Sequence, residues 1–126
     1  MAWAFRLPLS PDGKEVAYVA FSNDMSVPNR LKVVPAEGGA VLYELDWPVF
    51  AAEPHWSPSG KAVQYVRTQE SVSNIWEQNL SGGPPKQITN FTSGLIFGFD
   101  WSPDGKQLAL TRGSVSSDVV MISNFR

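Results

Sequence analysis

One short phrase recurs three times in this chain, as Ser10-Pro11-Asp12-Gly13-Lys14, Ser57-Pro58-Ser59-Gly60-Lys61 and Ser102-Pro103-Asp104-Gly105-Lys106. Its serines stand 47 and 45 positions apart. Self-similarity at a fixed period of that size is the mark of a repeat architecture, in which each unit buries its apolar faces only against its neighbours. Within the phrase, proline presets φ, aspartate bonds its own backbone two residues on, and glycine accepts positive φ. The phrase is therefore a tight turn, and it counts units. The 126 residues hold just under three.

Each copy is flanked by strand-like runs. In the last unit, Phe97, Phe99 and Trp101 lie at period two, which predicts an aromatic face on a strand ahead of the turn. Gln107 to Thr111 follows as an apolar run suited to a strand covered on both faces, and Asp118 to Ile122 as a third strand. The middle unit reads His55-Trp56, then Ala62 to Val66, Asn74 to Leu80, a Gly82-Gly83 hairpin turn, and Lys86 to Thr89. The first unit repeats the pattern with Val16 to Phe21, Arg30 to Val34, the Gly38-Gly39 turn, and Val41 to Leu45. Counted as four, four and three, eleven strands are expected, with no helical periodicity. The expected fold is all-β: a partial β-propeller of about three four-stranded antiparallel blades, the last incomplete. The whole chain reads as one propeller-type domain, with blades at about 1–46, 47–90 and 91–126.

Composition narrows the chemistry. A net charge of −2 without a basic stripe argues against nucleic acid. The absence of cysteine removes disulfides, thiolate metal sites and cysteine catalysis. His55 is the only histidine, so no multi-histidine metal set exists. No Gly-x-Ser-x-Gly elbow exposes a nucleophile. No apolar run approaches the ~20 residues that cross a bilayer, so no membrane role is expected. The N-terminal stretch is too interrupted for a signal-peptide core, which predicts a cytoplasmic protein, or a periplasmic one if an upstream signal has been removed. No cofactor is expected.

Trp101 through Lys106, followed by an apolar strand, resembles the PD40 repeat, the WD40-like blade of TolB-type β-propellers. The second copy keeps Trp56 but has Ser59 in place of aspartate. The first keeps Asp12 but has Leu9 in place of tryptophan. The stretch from Asp118 to Phe125 also resembles propeller domains attached to bacterial eukaryotic-like Ser/Thr kinases, although no kinase signature is present. The resemblance implies that the Ser-Pro turns lie on one face of the ring. Loops joining second to third strands, and one blade to the next, then lie on the other, where partners or substrates are received.

Against that frame, Asp12, Gly13, Ser59, Gly60, Asp104 and Gly105 are structural turn residues rather than metal ligands or catalytic acids. Trp56, Trp76 and Trp101 are expected in blade packing. Arg67 and Arg112 occupy equivalent positions at the end of a second strand, on the receiving side, where two guanidinium groups would suit a carboxylate or phosphate. Trp47 and Phe50 on one between-blade loop, and Phe91 and Leu95 on the next, add apolar side chains to the candidate binding surface.

The expected function is non-enzymatic: a protein- or peptide-binding or scaffolding module. Two alternatives stand beside it. One is a propeller fragment of a larger enzyme, either a kinase-linked sensor or a propeller-containing peptidase. The other is small-anion binding in a central channel. Because end blades leave apolar faces uncovered, self-association is also expected, as a homodimer that closes a six-bladed ring.

Overall fold

The computed structural model describes residues 9–48, 51, 53–114 and 117–123, with side chains as far as Ser114. Runs rich in Val, Ile, Tyr and Leu, punctuated by glycine turns, form ten strands and no helix among these residues. The first sheet takes β1 (Glu15–Ala20), β2 (Asn29–Pro35) and β3 (Tyr43–Trp47). The second takes β4 (His55–Trp56), β5 (Ala62–Gln69), β6 (Val72–Asn79) and β7 (Lys86–Gln87). The third takes β8 (Leu95–Trp101), β9 (Leu108–Ser114) and β10 (Ser117–Ser123). Each sheet is an antiparallel meander in chain order, one sheet per copy of the phrase. Ten strands appear rather than eleven. Where the first unit's leading strand was expected, Leu9 makes a single bridge to Val16, and residues 1–8 lie outside the described ones.

The three turns are built alike. Gly13 N–H donates to the Ser10 carbonyl at 2.8 Å, Gly60 to Ser57 at 3.0 Å, and Gly105 to Ser102 at 2.8 Å. The glycines sit at φ of +74°, +72° and +72°, a region an L side chain enters only with strain. Asp12 Oδ1 accepts from the Ser10 hydroxyl (2.6 Å) and the Lys14 N–H (3.0 Å). Asp104 does the same with Ser102 (2.5 Å) and Lys106 (3.0 Å). In the middle copy the Ser59 hydroxyl takes over, 2.9 Å from Ser57 Oγ and accepting from Lys61 N–H at 3.2 Å. The turn needs an oxygen acceptor there, and a hydroxyl serves as well as a carboxylate.

These turns also stack. A Cβ built on Gly60 would lie 3.7 Å from Pro11 of the preceding turn, and one on Gly105 only 2.9 Å from Pro58. Positive φ thus requires glycine in all three turns, and at Gly105 the proline of the preceding turn excludes a Cβ as well.

The middle sheet is covered on both faces. Val63 and Tyr65 of β5 join Ala17, Leu31, Val33, Trp47, Trp56 and Leu80 in one core, where Trp47 meets Tyr65 edge-on with ring centroids 5.0 Å apart. Ile75 of β6 joins Ile96, Phe99, Leu108 and Leu110 in the other. Burying one such aliphatic side chain contributes about 1.5–3 kcal/mol. A polar clasp crosses the second core. Gln64 is almost fully buried, accepts from Trp101 Nε1 at 2.7 Å and donates to Glu77 Oε1 at 3.0 Å. Satisfied in this way, a buried amide fixes the register between two sheets that apolar contacts alone would let slide.

Two sequence expectations need correction. Phe97 does not share a face with Phe99: it is 60% exposed, whereas Ile96 and Phe99 are buried. A bulge between Ile96 and Gly98 inserts an extra residue and reverses the alternation. The run Gln107 to Thr111 is not covered on both faces either. Leu108 and Leu110 are buried, while Ala109 and Thr111 are exposed, because no described sheet packs beyond the third.

The turn chemistry predicts a pH signature. Hydrogen bonds from Ser102 and from the Lys106 N–H hold the Asp104 carboxyl below its ordinary value. A carboxyl whose pKa is lower folded than unfolded contributes stability that is present above the unfolded pKa and is lost as pH falls through the folded one. Urea titrations should therefore show Asp104→Asn less stable than wild type at pH 7, with the gap closing below about pH 4. Ser59→Ala, at a turn without a titrating group, should show a pH-independent gap. An undiminished Asp104→Asn gap at pH 3 would contradict this account.

Candidate functional site

The site begins at the β5–β6 hairpin. Glu70 and Ser71 connect the strands as a two-residue turn with φ of +50° and +65°. Mirror-image turns of this kind match strand twist and ordinarily use Asn-Gly or Gly-Gly. With Glu and Ser in the left-handed region, the hairpin carries strain of order 1 kcal/mol per residue. It extends β5 to Gln69 and starts β6 at Val72, beyond the strands read from the sequence. The register sets Arg67 opposite Asn74 and Tyr65 opposite Trp76, so these side chains share one sheet face.

On that face lies a cavity of about 390 Å³, with Arg67, Glu70, Asn74, Trp76, Gln87 and Phe91 in its lining. The Arg67 guanidinium sits 4.9 Å from the Trp76 ring centroid. An arginine over an aromatic face is held there by the ring quadrupole. Glu70 brings a carboxylate to the same rim, and Gln69 and Gln87 add amides. The result is an aromatic floor ringed by donors and acceptors.

Asn74 holds the far wall. Its Oδ1 accepts from Thr89 Oγ1 (2.8 Å) and Phe91 N–H (2.7 Å), and its Nδ2 donates to the Phe91 carbonyl (3.1 Å). Thr89 Oγ1 in turn accepts from Ile75 N–H at 2.9 Å, and Gln87 Nε2 donates to the Thr89 carbonyl at 2.7 Å. One strand asparagine thereby pins the loop that leads into the third sheet and sets where the Phe91 ring lies.

The residues expected from the sequence are distributed as follows. Arg67 and Phe91 both line the cavity. Arg112 does not: its guanidinium lies 3.5 Å from the Phe91 ring centroid and donates to the Ser93 carbonyl at 2.5 Å. The two arginines keep their equivalent places, each over a ring, but they do not converge on one cavity. Leu95 opens β8 opposite Gly113, half-buried and outside the lining. Trp47 is 3% exposed and belongs to the first core rather than to a loop surface. Phe50 lies outside the described residues. Asp12, Gly13, Ser59, Gly60, Asp104 and Gly105 are at the opposite end of the strands, in the turns.

Asn74, Glu70 and Gln87 escaped sequence reasoning. Only Asn74 carried a usable signal, as an amide beside Ile75-Trp76 in a strand that otherwise packs inward. The cavity lining holds no histidine and a single carboxylate, a set suited to recognition. His55, elsewhere, packs its ring at a tilt against Phe99, with centroids 4.3 Å apart. Burial pushes its pKa below the ordinary value, against the opposing pull of Asp100 and Glu53. Among the described residues no three histidine or carboxylate groups gather as a metal site, and no helix is long and apolar enough to cross a membrane.

Comparison with known proteins agrees with the fold. No family model matches the chain. The Tol-Pal system protein TolB of Alcanivorax borkumensis is 32% identical over 98 residues, which cover 77% of this chain and 22% of that protein. The crystal structure of TolB from Acinetobacter baumannii superposes with a TM-score of 0.67 at 21% identity, covering 94% of this chain and 29% of its own. The β-propeller domain of the Trilobed protease from Pyrococcus furiosus, described as having an open velcro topology, gives 0.58 at 25% identity, over 90% and 36%. The chain thus spans about a fifth of the TolB relative's length.

The clip predicts its own test. Asn74→Ala should cost about 2 kcal/mol in urea unfolding, since it removes the acceptor for the Thr89 hydroxyl proton and the side-chain partners of the Phe91 backbone groups. Asn74→Asp, which keeps the acceptor and loses the donor, should fall between. Hydrogen exchange at the Phe91 amide should quicken in Asn74→Ala. A loss under about 0.5 kcal/mol, within the usual range of surface changes, would remove the clip from the site's architecture.

Proposed function

We propose that this chain, whose repeats are those of a TolB-type β-propeller, is a non-enzymatic module that binds a protein or peptide at the loop end of its middle blade. The observation that carries this reading is the cavity in which Arg67 lies over Trp76 beside Glu70 and the Asn74-anchored Phe91. Trp and Arg are the residues that most often anchor protein interfaces, because each combines large contact area with directed hydrogen bonds. Loop-end amides add the donors and acceptors that an extended peptide backbone requires. The likeness to a protease propeller supports a second reading, in which these blades serve a larger enzyme and the chemistry lies in other sequence. The cytoplasmic placement expected from the sequence gains no support from the relatives.

The binding reading is tested by selecting peptides from a random phage-displayed library on the immobilised chain and titrating the winners in solution. Selected peptides should lose at least tenfold in affinity to Arg67→Ala, about 1.4 kcal/mol, and should be recovered uncleaved. Equal affinity for Arg67→Ala would refute the site, and cleavage would refute the non-enzymatic reading.

We also infer self-association, from the stacked turns. Gly60 and Gly105 each receive a proline of the preceding turn, whereas no described atom lies within 4 Å of a Cβ built on Gly13. A second copy presenting Pro103 to Gly13 would repeat the same contact, and two copies supply the six blades of a closed ring. Sedimentation should give twice the chain mass for wild type and the single-chain mass for Gly13→Trp. A wild-type monomer at micromolar concentration would end this reading.

A further inference from the structure

At the opposite end of the sheets, the Ser-Pro turns and the first strands of the second and third units enclose a groove of about 740 Å³. It is larger than the cavity at the loop end and shares no residue with it. Its apolar wall is made by Trp56, Phe99, Trp101 and the His55 ring packed against Phe99. Pro58 and Pro103, both exposed, form the ridges beside that wall. The charged side chains in the lining are Glu53, Asp100 and Asp104, all exposed, with neither lysine nor arginine among them.

Two of these carboxylates, Asp100 and Asp104, are held in place by hydrogen bonds. Asp104 is tied into its turn by Ser102 and Lys106, which also keep it ionised. Asp100 accepts from Trp101 N–H at 2.8 Å, directly beside the aromatic wall. Burial favours the neutral form of His55, so the groove offers no positive charge of its own at neutral pH. A rigid wall of rings and prolines is the surface against which polyproline II segments pack, since such segments lose little entropy on binding. Fixed carboxylates next to rings suit a guanidinium, which pairs with the first and stacks on the second.

We propose that this groove is a second binding site, for an extended, proline-rich peptide segment bearing arginine. It stands independently of the loop-end site, because no side chain serves both.

The test uses the full 126-residue chain and a fluorescein-labelled peptide, Pro-Arg-Pro-Pro-Arg-Pro amide, followed by fluorescence anisotropy. Wild type should bind it saturably, and the matched peptide with glutamate for arginine should not bind. Glu53→Lys and Asp100→Lys should each weaken binding about tenfold. Glu53 is exposed outside any strand, so that variant keeps the test alive if Asp100→Lys disturbs β8. Asp24→Lys, in the β1–β2 loop at the other end of the sheets, makes the same change in net charge and should leave binding unaltered. The proposal is overturned if wild type shows no saturable binding, if the glutamate peptide binds equally, or if Asp24→Lys weakens binding as much as Glu53→Lys. Loss of the loop-end site through Arg67→Ala should not change this titration, and a change would merge the two sites and overturn the assignment.

Discussion

Everything else in this molecule depends on the middle sheet packing apolar side chains on both faces. Val63 and Tyr65 pack toward the first sheet while Ile75 packs toward the third, so one short sheet serves two cores. Apolar contact alone is non-directional and would leave the sheets free to slide over one another. Two directional features prevent it. The buried Gln64 amide clasps Trp101 across one interface. The turn glycines fit against neighbouring prolines, Gly60 on Pro11 and Gly105 on Pro58. The repeated phrase is therefore more than punctuation within a unit, since its proline and glycine also set how one unit meets the next.

This arrangement gives the two ends of the strands different characters. At the turn end, geometry is repeated: three turns with the same hydrogen bonds, aligned by the same contact. A groove formed there inherits its shape from the repeat, and its rings and prolines come from the phrase and its flanks. At the loop end, each unit differs. Among the described residues, the middle unit alone has a left-handed non-glycine hairpin (Glu70-Ser71), the Arg67–Trp76 pair and the Asn74 clip. Strain of this kind persists only where surrounding packing over-determines the backbone, and here β5 and β6 pair along their whole length to do so.

The fold was largely legible in the sequence because its signals are local and repeated. Ser-Pro-x-Gly turns need particular residues at particular places, and three phased copies fix the period. Strand faces were less legible. Alternation predicted Phe97 inside with Phe99, but a single bulge reversed it, and a bulge depends on what the partner strand leaves unpaired. Whether Gln107 to Thr111 was covered on one face or two depended on a neighbouring sheet, which no local pattern encodes. The site was legible in part. Arg67 and Phe91 were found because repeat position and loop placement pointed to them. Trp47 was not distinguishable from a surface aromatic, since its burial comes from Tyr65, 18 positions away in sequence. Asn74 could be singled out only as an amide within an inward-packing strand; its organising role was not legible, because its partners at Thr89 and Phe91 come from a loop 15 to 17 residues on.

Arg67 and Arg112 show how equivalent repeat positions come to have different surroundings. Each lies two residues before the end of a second strand and places its guanidinium over a ring, so the shared feature is the arginine over a ring itself. What differs is the ring's origin. Trp76 lies on the adjacent strand of the same hairpin, which leaves the Arg67 pair facing a cavity. Phe91 comes from the loop entering the third sheet, so Arg112 instead braces that loop by donating to Ser93. Phe91 is common to both arrangements, with Arg112 on its ring and the cavity among its neighbours. The arginine that does not line the cavity thus supports the wall of the one that does. Equivalent positions thus have different surroundings, one lining a cavity and one bracing a loop, and the difference follows from which strand or loop supplies the aromatic ring.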